Sequence, residues 1–139
     1  MNQAHVKNGF TLIEILIAIA IVAIMGGGAV FYAQKYRAKA KDTSTRSTLK
    51  VLESAIDEYN LDLGEYPSSL RDLVFKPSSE KAADKWSPYL KKKEVPKDGF
   101  GRDFHYEVTP DAEHPYELYS YGAVGKGGPK NKWINVWDI

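Results

Sequence analysis

The first part of the chain is almost uniformly hydrophobic. From Phe10 to Ala33 nearly every residue is apolar, and Glu14 is the only residue with a full charge. As an α-helix this run would be about 36 Å long at ~1.5 Å per residue, slightly longer than the roughly 30 Å hydrocarbon core of a bilayer. The pattern predicts a membrane-spanning helix over residues 10–33.

Beyond Ala33 the pattern changes to that of an amphipathic helix. Apolar residues recur at spacings of three, four, three and four, which places them on one helix face. They are Leu49, Leu52, Ile56, Tyr59 and Leu63. Gly64 is a natural helix stop, and Pro67 follows three residues later. We therefore expect one nearly continuous helix from about Thr11 to Leu63, with residues 34–63 as its amphipathic half.

Residues 64–139 predict a small domain that begins with loops and ends with strands. Ser69 and Asp72 fit a capping box ahead of a short helix through Phe75, and a helical turn is expected near Lys81 to Trp86. Alternating or aromatic-rich segments at 103–109, 116–121 and 133–137 are strand candidates. The expected fold class is α+β, with a three-stranded antiparallel sheet packed on the amphipathic half of the long helix.

Composition and charge exclude several classes of protein. The formal net charge of +1 gives no support for nucleic-acid binding. The absence of cysteine removes disulfides, thiolate zinc sites and cysteine nucleophiles. His5, His105 and His114 show no metal-binding or triad spacing, and the glycine-rich loop from Gly122 to Gly128 does not match a phosphate loop. We expect no catalytic residue and no enzyme activity.

Three interpretations compete for the N-terminus. A cleaved secretory signal normally has a shorter apolar run, and a plain signal anchor leaves Glu14 unexplained. The third interpretation is a cut between Gly9 and Phe10. The cut would give Phe10 a free amine with a pKa near ~8. That cation and the Glu14 carboxylate are each unfavourable in lipid, but together they neutralise one another. Pairing between two chains would also fix their axial register.

The stretch "GFTLIEILIAIAIVAI" resembles the class III signal of type IV pilin-like proteins. The resemblance implies that prepilin peptidase removes residues 1–9 as a leader. Gly9 is then the residue before the cut, Phe10 the new methylated N-terminus, and Glu14 the carboxylate that guides assembly. It also implies a type IV pilin-like fold and a filament made of many copies of the chain.

The remainder resembles the major pseudopilins of type II secretion systems. Their tyrosine–aspartate–tyrosine–proline element is matched by Tyr59, Asp62, Tyr66 and Pro67 at the same spacing. The resemblance implies a structural subunit of a pseudopilus that pushes folded proteins through an outer-membrane secretin. Its implied partners are minor pseudopilins, an inner-membrane assembly platform and an ATPase. Two alternatives stay open: a type IV pilin for adhesion, motility or DNA uptake, and a signal-anchored extracytoplasmic binding domain.

The chain departs from the family pattern within the apolar helix. Phe31 stands where the family usually has a proline that helps the helix to melt locally on assembly. Gly26, Gly27 and Gly28 are candidates for the same role, because glycine weakens a helix. The alternative is that these small residues mark a site of close helix packing.

A second departure concerns calcium, which the family typically binds in an aspartate-rich loop near the C-terminus. Calcium needs several oxygen ligands, mostly carboxylates, yet no acidic residue lies between Glu117 and Asp138. We expect no metal or other cofactor here. Apolar packing is expected to close the loop instead, through Trp133, Ile134, Val136 and Trp137.

Charges along the amphipathic half separate into a basic and an acidic part. Basic residues dominate from Lys35 to Lys50, and acidic residues dominate from Glu53 to Asp62. They form either a solvated face or a surface complementary to a neighbouring subunit. The resemblance implies a protein of the bacterial inner membrane with its C-terminal domain in the periplasm. The four basic residues between Lys35 and Lys41, against Lys7 alone before the span, predict the opposite orientation.

Overall fold

The computed structural model describes residues 9–78 and 85–139. A single α-helix, α1, runs from Leu12 to Leu63, which confirms the predicted long helix. It ends at Gly64, whose φ of 73° lies in the left-handed region that glycine adopts without strain. Residues 1–8 of the predicted leader lie outside the described residues. So does most of the helical turn expected near Lys81 to Trp86.

Contacts between residues divide the chain into two units, with the boundary between Arg37 and Ala38. The first unit contains the apolar start of α1. The second, Ala38–Ile139, contains the rest of α1 and everything after it, and we call it the globular unit. The predicted boundary after Ala33 marks the end of the hydrophobic run, whereas the boundary after Arg37 marks where contacts with the rest of the globular unit begin.

A short 3₁₀ helix, Leu70–Leu73, follows α1 where a short helix through Phe75 was expected, and it ends two residues earlier. The Ser69 amide donates to Asp72 Oδ2 at 3.0 Å, as the capping pattern predicted. The helix buries Leu70 and Leu73 and then stops at Val74. With so few residues, the tighter 3₁₀ geometry is the usual form.

Three antiparallel strands form the predicted sheet, in the order β1, β2, β3. Strand β1 is His105–Val108, β2 is Tyr116–Ser120, and β3 is Ile134–Asn135. Strand β3 is shorter than expected, because a 3₁₀ turn begins at Val136. The Asn135 side chain accepts a hydrogen bond from the Trp137 amide at 3.1 Å and so ends the strand.

The core of the globular unit joins the amphipathic face of α1 to the sheet. Leu49, Leu52 and Ile56 are fully buried, and Tyr59 is nearly so. Other members of the core are Leu70, Leu73, Val74, Leu90, Phe104, Tyr116, Leu118, Ile134 and Val136. The three-and-four spacing therefore predicted the buried face of the helix correctly, and the α+β fold is confirmed.

Candidate assembly site

A reciprocal pair of hydrogen bonds forms the N-terminus of α1. The Thr11 amide donates to Glu14 Oε2 at 3.3 Å, and the Glu14 amide donates to Thr11 Oγ1 at 3.3 Å. This is a capping box, in which a threonine before the first helical residue and a glutamate three residues later satisfy two amides that lack helical partners. The prediction for Glu14 rested on its charge alone, although the spacing of Thr11 and Glu14 in "TLIE" is itself the pattern of a capping box.

Glu14 is exposed, so its carboxylate remains accessible after it has capped the helix. A carboxylate offers about four lone-pair positions, and the bond from the Thr11 amide uses one of them. Phe10, four residues earlier, is 79% exposed. Gly9 and Phe10 precede the helix, so the predicted cleavage bond lies outside regular secondary structure.

The start of α1 exposes large apolar side chains around its whole circumference. Exposed fractions run from 45% at Ile15 to 80% at Leu12. Within the described residues, one helix is long and apolar enough to cross a membrane, and none of its apolar window is covered by the rest of the chain. Such a surface needs lipid or another protein to cover it.

The glycine segment lies inside α1 without interrupting it. A Cβ atom added at Gly26 or Gly27 would meet no atom within 4 Å, so no described residue outside the helix packs closely there. Both roles proposed for Gly26–Gly28, local melting and close packing, belong to the assembled state and stay predictions. The side-chain surroundings of residues 28–31 lie outside the described residues.

Charged residues of α1 in the globular unit are partly paired within the helix. Arg46 Nε lies 3.0 Å from Asp42, and Lys50 Nζ lies 2.8 Å from Glu53. Pairs of this kind on an exposed helix contribute only ~0.3–0.5 kcal/mol each. Burial and the neighbouring Glu53 raise the pKa of Asp57 above its ordinary value.

The remaining candidate residues form aromatic stacks. His105 stacks on Tyr119 with ring centroids 4.5 Å apart, and Trp133 stacks on Tyr119 at 4.9 Å. Trp137 instead stacks on His114 at 4.2 Å. Trp133 therefore packs on a residue of β2, while Trp137 packs on His114, two residues before β2 begins. Among residues 9–78 and 85–139, no three His, Cys, Asp or Glu side chains gather as a metal site.

Comparison with known proteins identifies the family. The model described as "Type II secretion system (T2SS), protein G" matches residues 33–137, and the prokaryotic N-terminal methylation motif matches residues 5–30. The chain belongs to the type II secretion system protein G family. The predicted resemblance is confirmed. The matching family is that of the pseudopilin, and it is neither of the two alternatives, a type IV pilin or a signal-anchored binding domain.

Individual members of the protein G family resemble the chain over nearly its full length. The type II secretion system core protein G of Pseudomonas aeruginosa is 34% identical, over 98% of this chain and 99% of that protein. The Escherichia coli K12 core protein G is 30% identical, over 100% of this chain and 97% of that protein.

A solved structure supports the fold. The crystal structure of the major pseudopilin from the type 2 secretion system of enterohaemorrhagic Escherichia coli is 27% identical, with a TM-score of 0.60. The match covers 76% of this chain and 94% of that one.

Proposed function

We propose that this protein is a major pseudopilin, a structural subunit that polymerises into the pseudopilus of a type II secretion system. The observation that carries the proposal is the start of α1, which exposes apolar side chains on all sides and carries one charged group, Glu14. Such a helix is stable when it is embedded in a bilayer or packed among copies of itself. The protein would act by assembly and would catalyse no reaction of its own.

Processing and assembly follow from the same segment. Prepilin peptidase removes residues 1–9 after Gly9, and Phe10 becomes the methylated N-terminus. The Glu14 carboxylate of one subunit then pairs with the Phe10 amine of a neighbour, which neutralises both charges in the apolar filament core. This pairing supports addition of one subunit at a fixed axial step.

Orientation and partners complete the proposal. The globular unit lies in the periplasm, and the span lies in the inner membrane until assembly withdraws it. The minor pseudopilins, the inner-membrane platform and its ATPase are the partners that drive subunit addition. The basic residues from Lys35 to Lys41 oppose this orientation by charge alone, so the orientation needs a direct test.

Intact-mass measurement of the membrane form tests processing. We expect loss of Met1 to Gly9 and gain of one methyl group. A mature mass that retains the leader would overturn the proposed processing. A Gly9→Val variant should keep the leader and serves as the negative control.

Assembly is tested with Glu14→Ala, which should still insert and be cleaved but should form few or no filaments. Because this change also breaks the capping box, Thr11→Ala is the matched control: it removes the hydroxyl that accepts from the Glu14 amide and keeps the carboxylate. Pairing predicts that only Glu14→Ala fails to assemble. Equal loss in both variants would mean that Glu14 acts through the helix cap, and normal filaments from Glu14→Ala would refute the pairing.

Orientation is tested with Lys126→Cys, since the chain has no other cysteine and Lys126 is exposed. A membrane-impermeant thiol reagent added to cells with a permeabilised outer membrane should label this position. Labelling that appears only after the inner membrane is disrupted would place the globular unit in the cytoplasm.

A further inference from the structure

The loop between β2 and β3 does not fit the calcium ion that the family resemblance implies. Residues 121–133, which we call the β2–β3 loop, contain no carboxylate. Glu117 and Asp138 line a nearby cavity of about 190 Å³, but Lys130 lines the same cavity with a positive charge of its own. The buried Trp133 Nε1, without a partner in the described residues, is a donor and cannot bind a metal.

A side-chain cation from outside the loop holds it instead. Arg102, just before β1, donates from Nη2 to the Gly122 carbonyl oxygen at 2.7 Å. Its guanidinium carbon also lies 5.5 Å from the centroid of the Phe100 ring, within the distance of a cation–π contact. A carbonyl oxygen that accepts from a guanidinium faces a full positive charge, as it would face a bound cation.

The guanidinium of Arg102 also lies close to a second residue of the β2–β3 loop, Gly125. Gly125 has a φ of 75°, and a Cβ atom placed there would lie 2.8 Å from Arg102 Nη1. Real Cβ atoms essentially never approach a neighbour so closely. Glycine at 125 therefore serves both the backbone conformation and the space that the guanidinium occupies.

One buried carboxylate positions both the donor and the acceptor. Asp98, 5% exposed, accepts the Arg102 amide at 2.8 Å through Oδ1 and the Ser120 hydroxyl at 2.6 Å through Oδ2. The Ser120 hydroxyl oxygen in turn accepts the Gly122 amide at 2.9 Å. The backbone of Arg102 and that of Gly122 are thus both tied to Asp98, so the guanidinium meets the carbonyl in a fixed register.

The same network reaches α1. The Gly99 amide donates to Thr45 Oγ1 at 2.9 Å, and the Thr45 hydroxyl donates to the Lys41 carbonyl oxygen at 2.8 Å. Thr45 is fully buried. A Cβ atom at Gly99 would overlap the backbone of Lys41, so the turn that contains Asp98 sits directly on the helix. The support for Arg102 is therefore part of the rigid core.

We propose that the Arg102 guanidinium closes the β2–β3 loop in this chain, in the role that calcium has in the family, so that loop closure requires no metal. The proposal concerns the single subunit and goes beyond the proposed function. Its test does not depend on whether the protein forms filaments.

Trypsin provides the test, because three of its target residues, Lys126, Lys130 and Lys132, are exposed in the loop. The full-length chain in detergent micelles is digested with calcium or with EGTA, and cleavage after each lysine is followed by mass spectrometry. Wild type should be cut at the same rate in both. Arg102→Met should be cut about tenfold faster in both, the effect expected from loss of a charged hydrogen bond that limits opening.

Two matched controls separate loop closure from general destabilisation. Arg71 lies 5.4 Å from the Phe75 ring centroid, much as Arg102 lies over Phe100, and Arg71→Met should leave loop cleavage unchanged. Gly125→Ala keeps Arg102 but places a methyl group against it, and should also be cut about tenfold faster. Gly64, at the end of α1 and away from the turn that holds Arg102, has a similar φ of 73° with open space around it. Gly64→Ala therefore reproduces the backbone strain without the clash and should not speed loop cleavage.

Two results would overturn the proposal. The first is faster cleavage of wild type in EGTA, which would mean that a metal closes the loop. The second is an unchanged cleavage rate in Arg102→Met, or, if that variant fails to fold, equal rates in Gly125→Ala and Gly64→Ala.

Discussion

Helix α1 carries the same kinds of apolar side chain in its first and second halves, in opposite environments. Leu16 and Ile24 in the first half are 55% and 77% exposed, whereas Leu52 and Ile56 in the second half are fully buried. The second half is amphipathic and finds its partners in the sheet. The first half is apolar on every side, and none of its apolar window is buried among the described residues.

The difference teaches that one continuous helix serves two separate purposes. Full burial of a leucine or isoleucine contributes about 1.5–3 kcal/mol. In the second half that free energy stabilises the fold of the subunit. In the first half it becomes available only in a bilayer or a filament, so it contributes to insertion and assembly. Substitutions of equal size in the two halves should therefore affect different measurements.

The largest expected effect comes from truncating the same residue type in each half. Leu52→Ala should lower the free energy of unfolding of the globular unit by about 2–5 kcal/mol, because it leaves a cavity in the core. Leu16→Ala should leave that quantity within ~0.5 kcal/mol of wild type and should instead weaken filament formation. Chemical denaturation of both variants in micelles, followed by near-ultraviolet circular dichroism, measures the difference. A similar loss of stability in both variants would break the comparison.

The next effect is on the pH dependence of the globular unit, where burial keeps several tyrosines protonated. Burial, with the Asp62 carboxylate as hydrogen-bond partner, raises the pKa of Tyr89 to about 12. Burial, with the nearby Tyr121, raises the pKa of Tyr119 to about 12. Burial also raises the pKa values of Tyr106 and Tyr116. In the unfolded chain these hydroxyls ionise near pH 10.0.

Above pH 10 the unfolded chain has lost protons that the folded chain keeps, so the free energy of unfolding falls as the pH rises towards 12. Below pH 10 both states are protonated and these groups contribute no slope. Denaturation at a series of pH values, with tyrosinate absorbance recorded in parallel, tests this. Ionisation of Tyr89, Tyr106, Tyr116 or Tyr119 near pH 10 with the fold intact, assigned by the absorbance lost in the matching Tyr→Phe variant, would contradict it.

A smaller effect separates two tyrosines of the sheet, the half-buried Tyr106 and the buried Tyr116. The Tyr106 hydroxyl donates to the carbonyl oxygen of Pro67, which is itself buried, at 2.9 Å. The Tyr116 hydroxyl is buried and has no hydrogen-bond partner among the described residues. Tyr106→Phe should cost about 1–3 kcal/mol, because it leaves a buried acceptor unpaired. Tyr116→Phe should cost nothing or stabilise by up to ~1 kcal/mol. Equal losses would show that the Tyr116 hydroxyl is bonded in solution.

Sequence alone predicted the features that repeat along the chain. The three-and-four spacing from Leu49 to Leu63 gave the buried helix face, and two-residue alternation located β1 and β2. Each depends on neighbours close in sequence, which periodicity records.

Features that depend on distant or single contacts were missed. The hydrogen bond from Arg102 to Gly122 joins residues 20 positions apart, and no local sequence pattern predicts it. The early end of β3 depends on the Asn135 side chain, and a polar residue in a short apolar strand is not by itself a stop signal. The spacing of Thr11 and Glu14 is that of a capping box, but the prediction considered only the charge of Glu14 and its role in assembly.

The smallest expected effect concerns two capping interactions, one in the globular unit and one at the start of α1. Asp72 accepts the Ser69 amide inside the globular unit, and Thr11 accepts the Glu14 amide at the start of α1. Asp72→Ala should lower the free energy of unfolding by about 1 kcal/mol, the usual cost of a lost cap. Thr11→Ala should leave that value unchanged and should speed hydrogen exchange of the first-turn amides of α1 a few-fold, because fraying there is local. Hydrogen exchange with mass spectrometry in micelles measures both. If Thr11→Ala destabilised the globular unit as much as Asp72→Ala, the two units would have to unfold together, and the separate treatment of their apolar residues would fail.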